Sequence, residues 1–301
     1  MRLSKKSRFG ASFSIKQCRG FGIDPKKTLK FLINEMGIKR FRLMSYWDEI
    51  EVYKGKHDFS SLDWQFEMIK KSKGSVSLCI GLRQPRWPES HYPDWAKGLT
   101  YENLTKELLK FNKKVIERYR NDACIESWQL ENEALNRGFG VNGNFDRKRL
   151  RQEMDQLRSL SSNKTIIMST SNTWGLPIRK PRPDMFGFTL YKVQYKNGQY
   201  KTSHLPALWY RLRALIILIV TFRKSFIHEL QLEPWGPGST QDLSLAEQDK
   251  SMDVSQIKIN LILAKRTRLY PIDMWGAEWW YWRKTLGDET IWKAVYEEIR
   301  K

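Results

Sequence analysis

Short apolar runs of strand length alternate with longer amphipathic stretches along nearly the whole chain, and few architectures tolerate that pattern. FGASFSI (9–15), IKRFRLM (38–44), SVSLCIGL (75–82) and ACIESWQL (123–130) read as the first four strands. TIIMST (165–170), DMFGFTL (184–190), SFIHELQ (225–231) and RLYPIDMW (268–275) read as the next four. Helical periodicity fills the gaps: from about Asp24, with Pro25 in its first turn, to near Gly37, then Leu62 to Ser72, Glu102 to Arg120 and Asp146 to Leu160. Pro206 to Phe222, Ser244 to Arg266 and Glu289 to Ile299 follow. Strands that alternate with helices bury a parallel sheet. Eight of them without a linker predict one α/β domain over residues 1–301, a (β/α)8 TIM barrel. Only a short Pro-rich link joins the fifth and sixth strands, so the fifth helix is expected to be reduced.

The rival is an open, doubly wound sheet, which would carry a glycine-rich phosphate loop after its first strand. Arg19-Gly20-Phe21-Gly22 has two glycines, but no phosphate-loop Lys-Ser/Thr follows. Cys18, Cys79 and Cys124 are far apart in sequence and read as buried thiols. With no CxxC or HExxH spacing and four scattered histidines, neither a metal site nor a cofactor is expected.

A net charge of +20 allows two readings. It could attract nucleic acid, an anionic glycan or an acidic surface, or it could be a lysine-rich surface kept soluble by self-repulsion. Lys26-Lys27 and Arg147-Lys148-Arg149 look like ordinary helix faces. A nucleic-acid binder would interleave aromatics with a basic stripe, whereas aromatics here track strand ends, so no nucleic-acid partner is expected. The apolar run from Ala214 to Val220 is too short to span a bilayer, which takes about 20 residues. It reads as a buried helix face, and no transmembrane segment is expected. The opening MRLSKKSRFGASFS is basic but lacks an apolar h-region, so a cytoplasmic location is expected.

Barrels place their chemistry where strands end in βα loops. Arg42 and SerTyrTrpAspGlu (45–49) close the second strand, and ArgGlnProArgTrp (83–87) the third. Glu131-Asn132-Glu133 closes the fourth, Tyr191 the sixth, His228-Glu229 the seventh and Trp275-Gly276-Ala277-Glu278-Trp279-Trp280 the eighth. Carboxylates, an arginine, an amide and indoles make an inventory suited to cleaving sugars. Glycoside hydrolysis uses two carboxyl groups in opposite protonation states. At roughly 31 residues per βα unit of a 250-residue barrel, Glu133 and Glu229 lie about three units apart.

Trp128-Gln129-Leu130-Glu131-Asn132-Glu133 resembles the strand-four signature of clan A glycoside hydrolases, which include β-galactosidases, cellulases and mannanases. Phe226-Ile227-His228-Glu229-Leu230 resembles the clan's second signature. TrpAspGluIleGlu (47–51) and HisAspPheSerSerLeuAsp (57–63) resemble its stretch after strand two. The resemblance implies a retaining hydrolase of O-glycosidic, β-configured bonds, acting on an oligosaccharide or polysaccharide that the positive charge would allow to be anionic. Glu133 would be acid/base and Glu229 nucleophile. Arg42 would hold Glu229 ionised, Tyr191 would orient it and Asn132 would bind the sugar 2-hydroxyl. Trp275 or Trp279 would form a stacking floor, and Trp47 would contribute to the substrate site. Glu131 and Glu233 are the rival carboxylates, and Glu278 is either a subsite ligand or a salt-bridge partner. His228 departs from the small residue often found there in the clan. The alternative is a barrel that binds glycans without turning them over.

Overall fold

A computed structural model describes residues 8–134, 136, 146–171 and 179–301. The strands that form the barrel are β1 (Phe9–Ser12), β2 (Arg40–Met44), β3 (Ser75–Ile80) and β4 (Ile125–Leu130). They continue as β5 (Thr165–Thr170), β6 (Met185–Leu190), β7 (Lys224–Gln231) and β8 (Ile272–Trp275). Neighbours run β1-β8-β7-β6-β5-β4-β3-β2 in a closed ring, with parallel ladders. Strands buried on both faces read as near-continuous apolar runs. Val76, Leu78, Cys79 and Ile80 of β3 are fully buried, and β7 is buried after its first residue. That is why all eight strands are visible in sequence.

The chain divides into two compact units, residues 1–40 with 188–301, and residues 41–187.

Several helix starts sit where capping chemistry puts them. Asp24 accepts from the Lys26 and Lys27 N–H groups ahead of Pro25–Asn34, and Asp146 caps Arg147–Leu160 through Lys148 and Arg149. A side-chain acceptor there satisfies N–H groups that have no partner within the helix. The helix expected over Ser244 to Arg266 is instead two, Leu245–Asp249 and Val254–Thr267. Ser244 and Asp253 each cap a separate start, and the second cap interrupts what periodicity alone would join. Short helices also form at Ile15–Gly20 and Trp47–Ile50. A further helix, Ala277–Thr285, follows β8 where a loop was expected.

After β6 a two-stranded hairpin, Val193–Lys196 with Gln199–Thr202, turns at Asn197-Gly198. Both turn residues have positive φ, 52° and 76°, the conformation that makes Asn-Gly favourable in tight hairpins. Residues 1–7 lie outside the described residues, as do 172–178 within the link where a reduced fifth helix is expected.

The apolar run Ala214–Val220 corrects the sequence reading. Ala214 and Ile217 are buried, but Leu215, Leu218, Ile219 and Val220 are exposed. Helix Ala207–Thr221 is apolar on both faces, so only one can lie against its own unit. Cys18, Cys79 and Cys124 are free, buried thiols.

Candidate active site

In the unit 41–187, β4 delivers Glu131, Asn132 and Glu133 at its carboxyl end. Glu131 and Glu133 both adopt positive φ, 49° and 41°, a region costly for residues with a Cβ and held only where the surroundings over-determine it. The determinants are visible. The Glu131 carboxylate accepts from Arg149 Nη2 at 2.9 and 3.0 Å and from the Leu82 N–H at 3.0 Å. Arg149 Nε also donates to Glu153 at 3.1 Å, and Asn112 Nδ2 donates to Glu153 at 3.1 Å. Burial, then the Glu131 charge, pushes the Glu153 carboxyl well above the usual carboxylate range despite Arg149. Gly81 passes so close that a Cβ there would lie 2.6 Å from Glu131 Cγ. Glu131 is thus engaged in a buried ion pair.

Asn132 is held from several sides. Its Oδ1 accepts from Arg42 at 2.6 Å, Ser169 Oγ at 3.2 Å and Gln129 Nε2 at 3.3 Å, while its Nδ2 donates to Glu89 at 2.8 Å. These bonds fix which end of the amide faces which way. Arg42, which was expected to hold Glu229 ionised, also donates to Gln129 Oε1 at 2.6 Å and is fully buried. The Glu133 backbone N–H donates to Ser169 Oγ at 2.7 Å, and its carboxylate accepts from Asn136 Nδ2 at 3.0 Å. Arg83 donates to the carbonyls of Glu133 and Asn136. Ser169 and Glu89 escaped the sequence reading because each serves Asn132 from another strand or loop, while Gln129 stands in β4 itself with nothing local to mark its bond to Asn132. Only the strand-end position of Ser169 hinted at it.

In the other unit, Ile272 of β8 pairs with Ile227, yet Met274 pairs with Leu230. Two residues of β7, His228 and Glu229, therefore stand opposite the single residue Asp273 of β8, and the bulge falls on them. Bulges re-aim side chains and are enriched beside active sites. Tyr191 donates its hydroxyl to Glu229 Oε2 at 3.1 Å, and its ring meets Trp235 edge-on. Gln231 pins the segment after Tyr191, accepting from the Lys192 and Val193 N–H groups and donating to the Val193 carbonyl.

His228 Nδ1 lies 2.7 Å from Asp273, whose carboxylate also accepts from Arg40 at 2.9 Å, and all three are buried. Burial works to raise the Asp273 carboxyl, but Arg40 and His228 outweigh it and bring it to about 2. Sequence offered no sign of this cluster.

The rival Glu233 accepts the Trp275 indole N–H at 2.6 Å. Glu278 is fully buried and accepts the backbone N–H of Ser14 at 2.5 Å, a role the sequence did not suggest. Two tryptophans need correction. Trp47 and Trp279 have 0% exposure. Trp47 stacks on Phe111 and donates to Glu51; Trp279 donates to Gln248 beneath Arg283. With no open face, neither can floor a sugar subsite. Trp275 keeps only 7% exposure.

Neither the family models nor the curated protein sequences give a match to this chain. Solved structures do. An endo-beta-1,4-xylanase from Gloeophyllum trabeum, of glycoside hydrolase family 10, matches 98% of this chain and 96% of its own, with a TM-score of 0.61 at 14% identity. A beta-glucosidase from Exiguobacterium marinum matches 91% and 89%, with a TM-score of 0.56 at 11% identity. An exo-beta-1,4-mannosidase from Opitutaceae bacterium strain TAV5 has a TM-score of 0.62 at 10% identity over 91% of this chain. The chain spans only 54% of that mannosidase. At such identities the likeness carries the fold, a closed barrel of the kind the sequence predicts.

Proposed function

We propose that residues 1–301 form one barrel domain that hydrolyses β-glycosidic bonds with retention, Glu229 acting as nucleophile and Glu133 as acid/base. The observation that carries this reading is the placement of Glu133 just after β4 and Glu229 near the end of β7 in a ring of parallel strands. Each carboxylate has a neutral donor: Asn136 for Glu133 and Tyr191 for Glu229. Every other carboxylate that competed for these roles is committed elsewhere, Glu131 to Arg149, Glu233 to Trp275 and Glu278 to Ser14.

The chemistry runs in two displacements. Glu229 attacks the anomeric carbon while Glu133 gives its proton to the departing glycosidic oxygen. The C–O bond breaks and an ester forms on Glu229. Glu133, now a carboxylate, takes a proton from water as its oxygen attacks the same carbon, and Glu229 leaves. Tyr191 steadies the Glu229 oxygen, and Asn132, oriented by Arg42, Ser169 and Glu89, binds the sugar 2-hydroxyl. No cofactor enters these steps. The mechanism fits a saccharide substrate, with the +20 charge favouring an anionic one.

A panel of aryl β-glycosides and of neutral and acidic polysaccharides tests the reading. Turnover by the native chain should be lost in Glu133→Ala and in Glu229→Ala, with unfolding temperatures unchanged. Full activity in Glu229→Ala would refute it. Saccharide binding without turnover by the native chain would leave the silent, glycan-binding alternative.

A further inference from the structure

Helix Ala207–Thr221 is apolar on two sides. Tyr210, Arg213, Ala214, Ile217 and Thr221 form its buried side. Leu208, Leu212, Leu215, Ile219 and Phe222 recur at helical spacing on the opposite side and are 68%, 47%, 50%, 63% and 85% exposed. Leu218 widens the stripe, and Arg211 is its polar interruption. The neighbouring helix Val254–Thr267 packs against it and exposes Ile259 and Ile262. A helix that is apolar all round is normally enclosed, in a core or in lipid. Here one side is open, and contiguous exposed apolar surface of this kind marks an interaction site.

We propose that this face seats the protein on an anionic lipid bilayer, with the helix lying in the plane of the headgroups. Its 15 residues rise about 22 Å, short of the roughly 30 Å hydrocarbon core. Among the described residues no helix is long and apolar enough to cross a membrane. Charge selects the occupant. Arg211 lies within the stripe, Lys224 follows the helix, and Arg266 and Arg268 close its neighbour. All four are exposed, and no acidic side chain pairs with any of them among the described residues. Apolar insertion flanked by basic residues is the pattern of interfacial helices that prefer anionic lipid. A second copy of the chain would bring these cations, and two net charges of +20, against one another.

Vesicle co-flotation of the full chain tests this, using phosphatidylcholine alone and phosphatidylcholine with one-quarter phosphatidylglycerol. The native chain should float with the anionic vesicles and far less with the neutral ones, and 1 M NaCl should weaken it. Leu215→Gln/Ile219→Gln and, separately, Leu212→Gln/Phe222→Gln should each bind at least tenfold more weakly while unfolding at the native temperature. The proposal is overturned if the native chain floats with neither vesicle or equally with both, or if both variants bind like it. A lipid-free dimer in sedimentation that the two variants dissolve would assign the face to self-association instead. None of these readouts depends on glycosidase activity.

Discussion

Replacing Arg149 with Met should destabilise the protein in proportion to a structural debt that can be estimated. The Arg149 guanidinium bridges Glu131 and Glu153, and the three side chains are 1%, 1% and 0% exposed. Breaking a buried ion pair by removing one partner costs about 3–5 kcal/mol, because the other charge stays buried without compensation. Unfolding entropy of about 2.1 cal/mol/K per residue over 301 residues converts this to a fall in Tm of roughly 5–8 °C. The sign with pH is also fixed. Glu153 already titrates well above the usual carboxylate range through burial, and removing Arg149, which holds it down, raises it further. A group of that kind stabilises the folded state at low pH and loses the contribution as pH rises. Thermal unfolding followed by circular dichroism should therefore show a larger deficit at pH 8 than at pH 5. Adding Glu131→Gln and Glu153→Gln should recover most of the loss, since neutral replacements leave no charge to bury. A Tm within 1–2 °C of the native value, or a deficit independent of pH, would refute the reasoning. Glu131, which Arg149 holds, immediately precedes Asn132 and Glu133, so the variant should also lose activity at temperatures where it remains folded.

Tyr191→Phe removes the hydroxyl that donates to Glu229 at 3.1 Å. A hydrogen bond to a charged group contributes about 1.5–3 kcal/mol, so kcat/KM should fall by about ten- to hundred-fold with Tm unchanged. Asp273, held down to about 2 by Arg40 and His228 against the cost of burial, titrates near 3.9 when unfolded. Its contribution is present above about pH 4 and lost between about pH 4 and 2. Urea unfolding across that window should show Asp273→Asn flattening the acid dependence by roughly 2–3 kcal/mol. Trp47→Phe and Trp279→Phe should each cost roughly 1–3 kcal/mol of stability with KM within about twofold. A tenfold rise in KM with stability intact would return those rings to the substrate site.

Most of the fold was legible because barrel strands are buried on both faces and helix starts carry side-chain caps such as Asp24 and Asp146. The Asn197-Gly198 hairpin carries its own turn signal, but its two strands are only four residues each and mostly exposed, so no apolar run marks them. Other features were beyond reach in principle. Hydropathy shows that residues 214–220 are apolar but cannot show which side has a partner. Among tryptophans near strand ends Trp279 is fully enclosed and Trp87 is open, at 69% exposure, and composition does not separate them. The partners that orient Asn132 come from residues 42, 89, 129 and 169, and only the folded barrel brings them to one amide. The bulge that re-aims His228 and Glu229 depends on register with β8, which no local pattern records.

The assignment of the two glutamates is tested most directly by azide rescue, with the anomeric configuration of the product read by proton NMR. In Glu229→Ala, azide would replace the missing nucleophile and attack an aryl β-glycoside from the opposite face, yielding the α-glycosyl azide. In Glu133→Ala, azide would instead displace Glu229 from the ester, yielding the β-glycosyl azide. Opposite anomers from the two variants, in that order, are the predicted result. The same anomer from both, or the reverse pairing, would contradict the account.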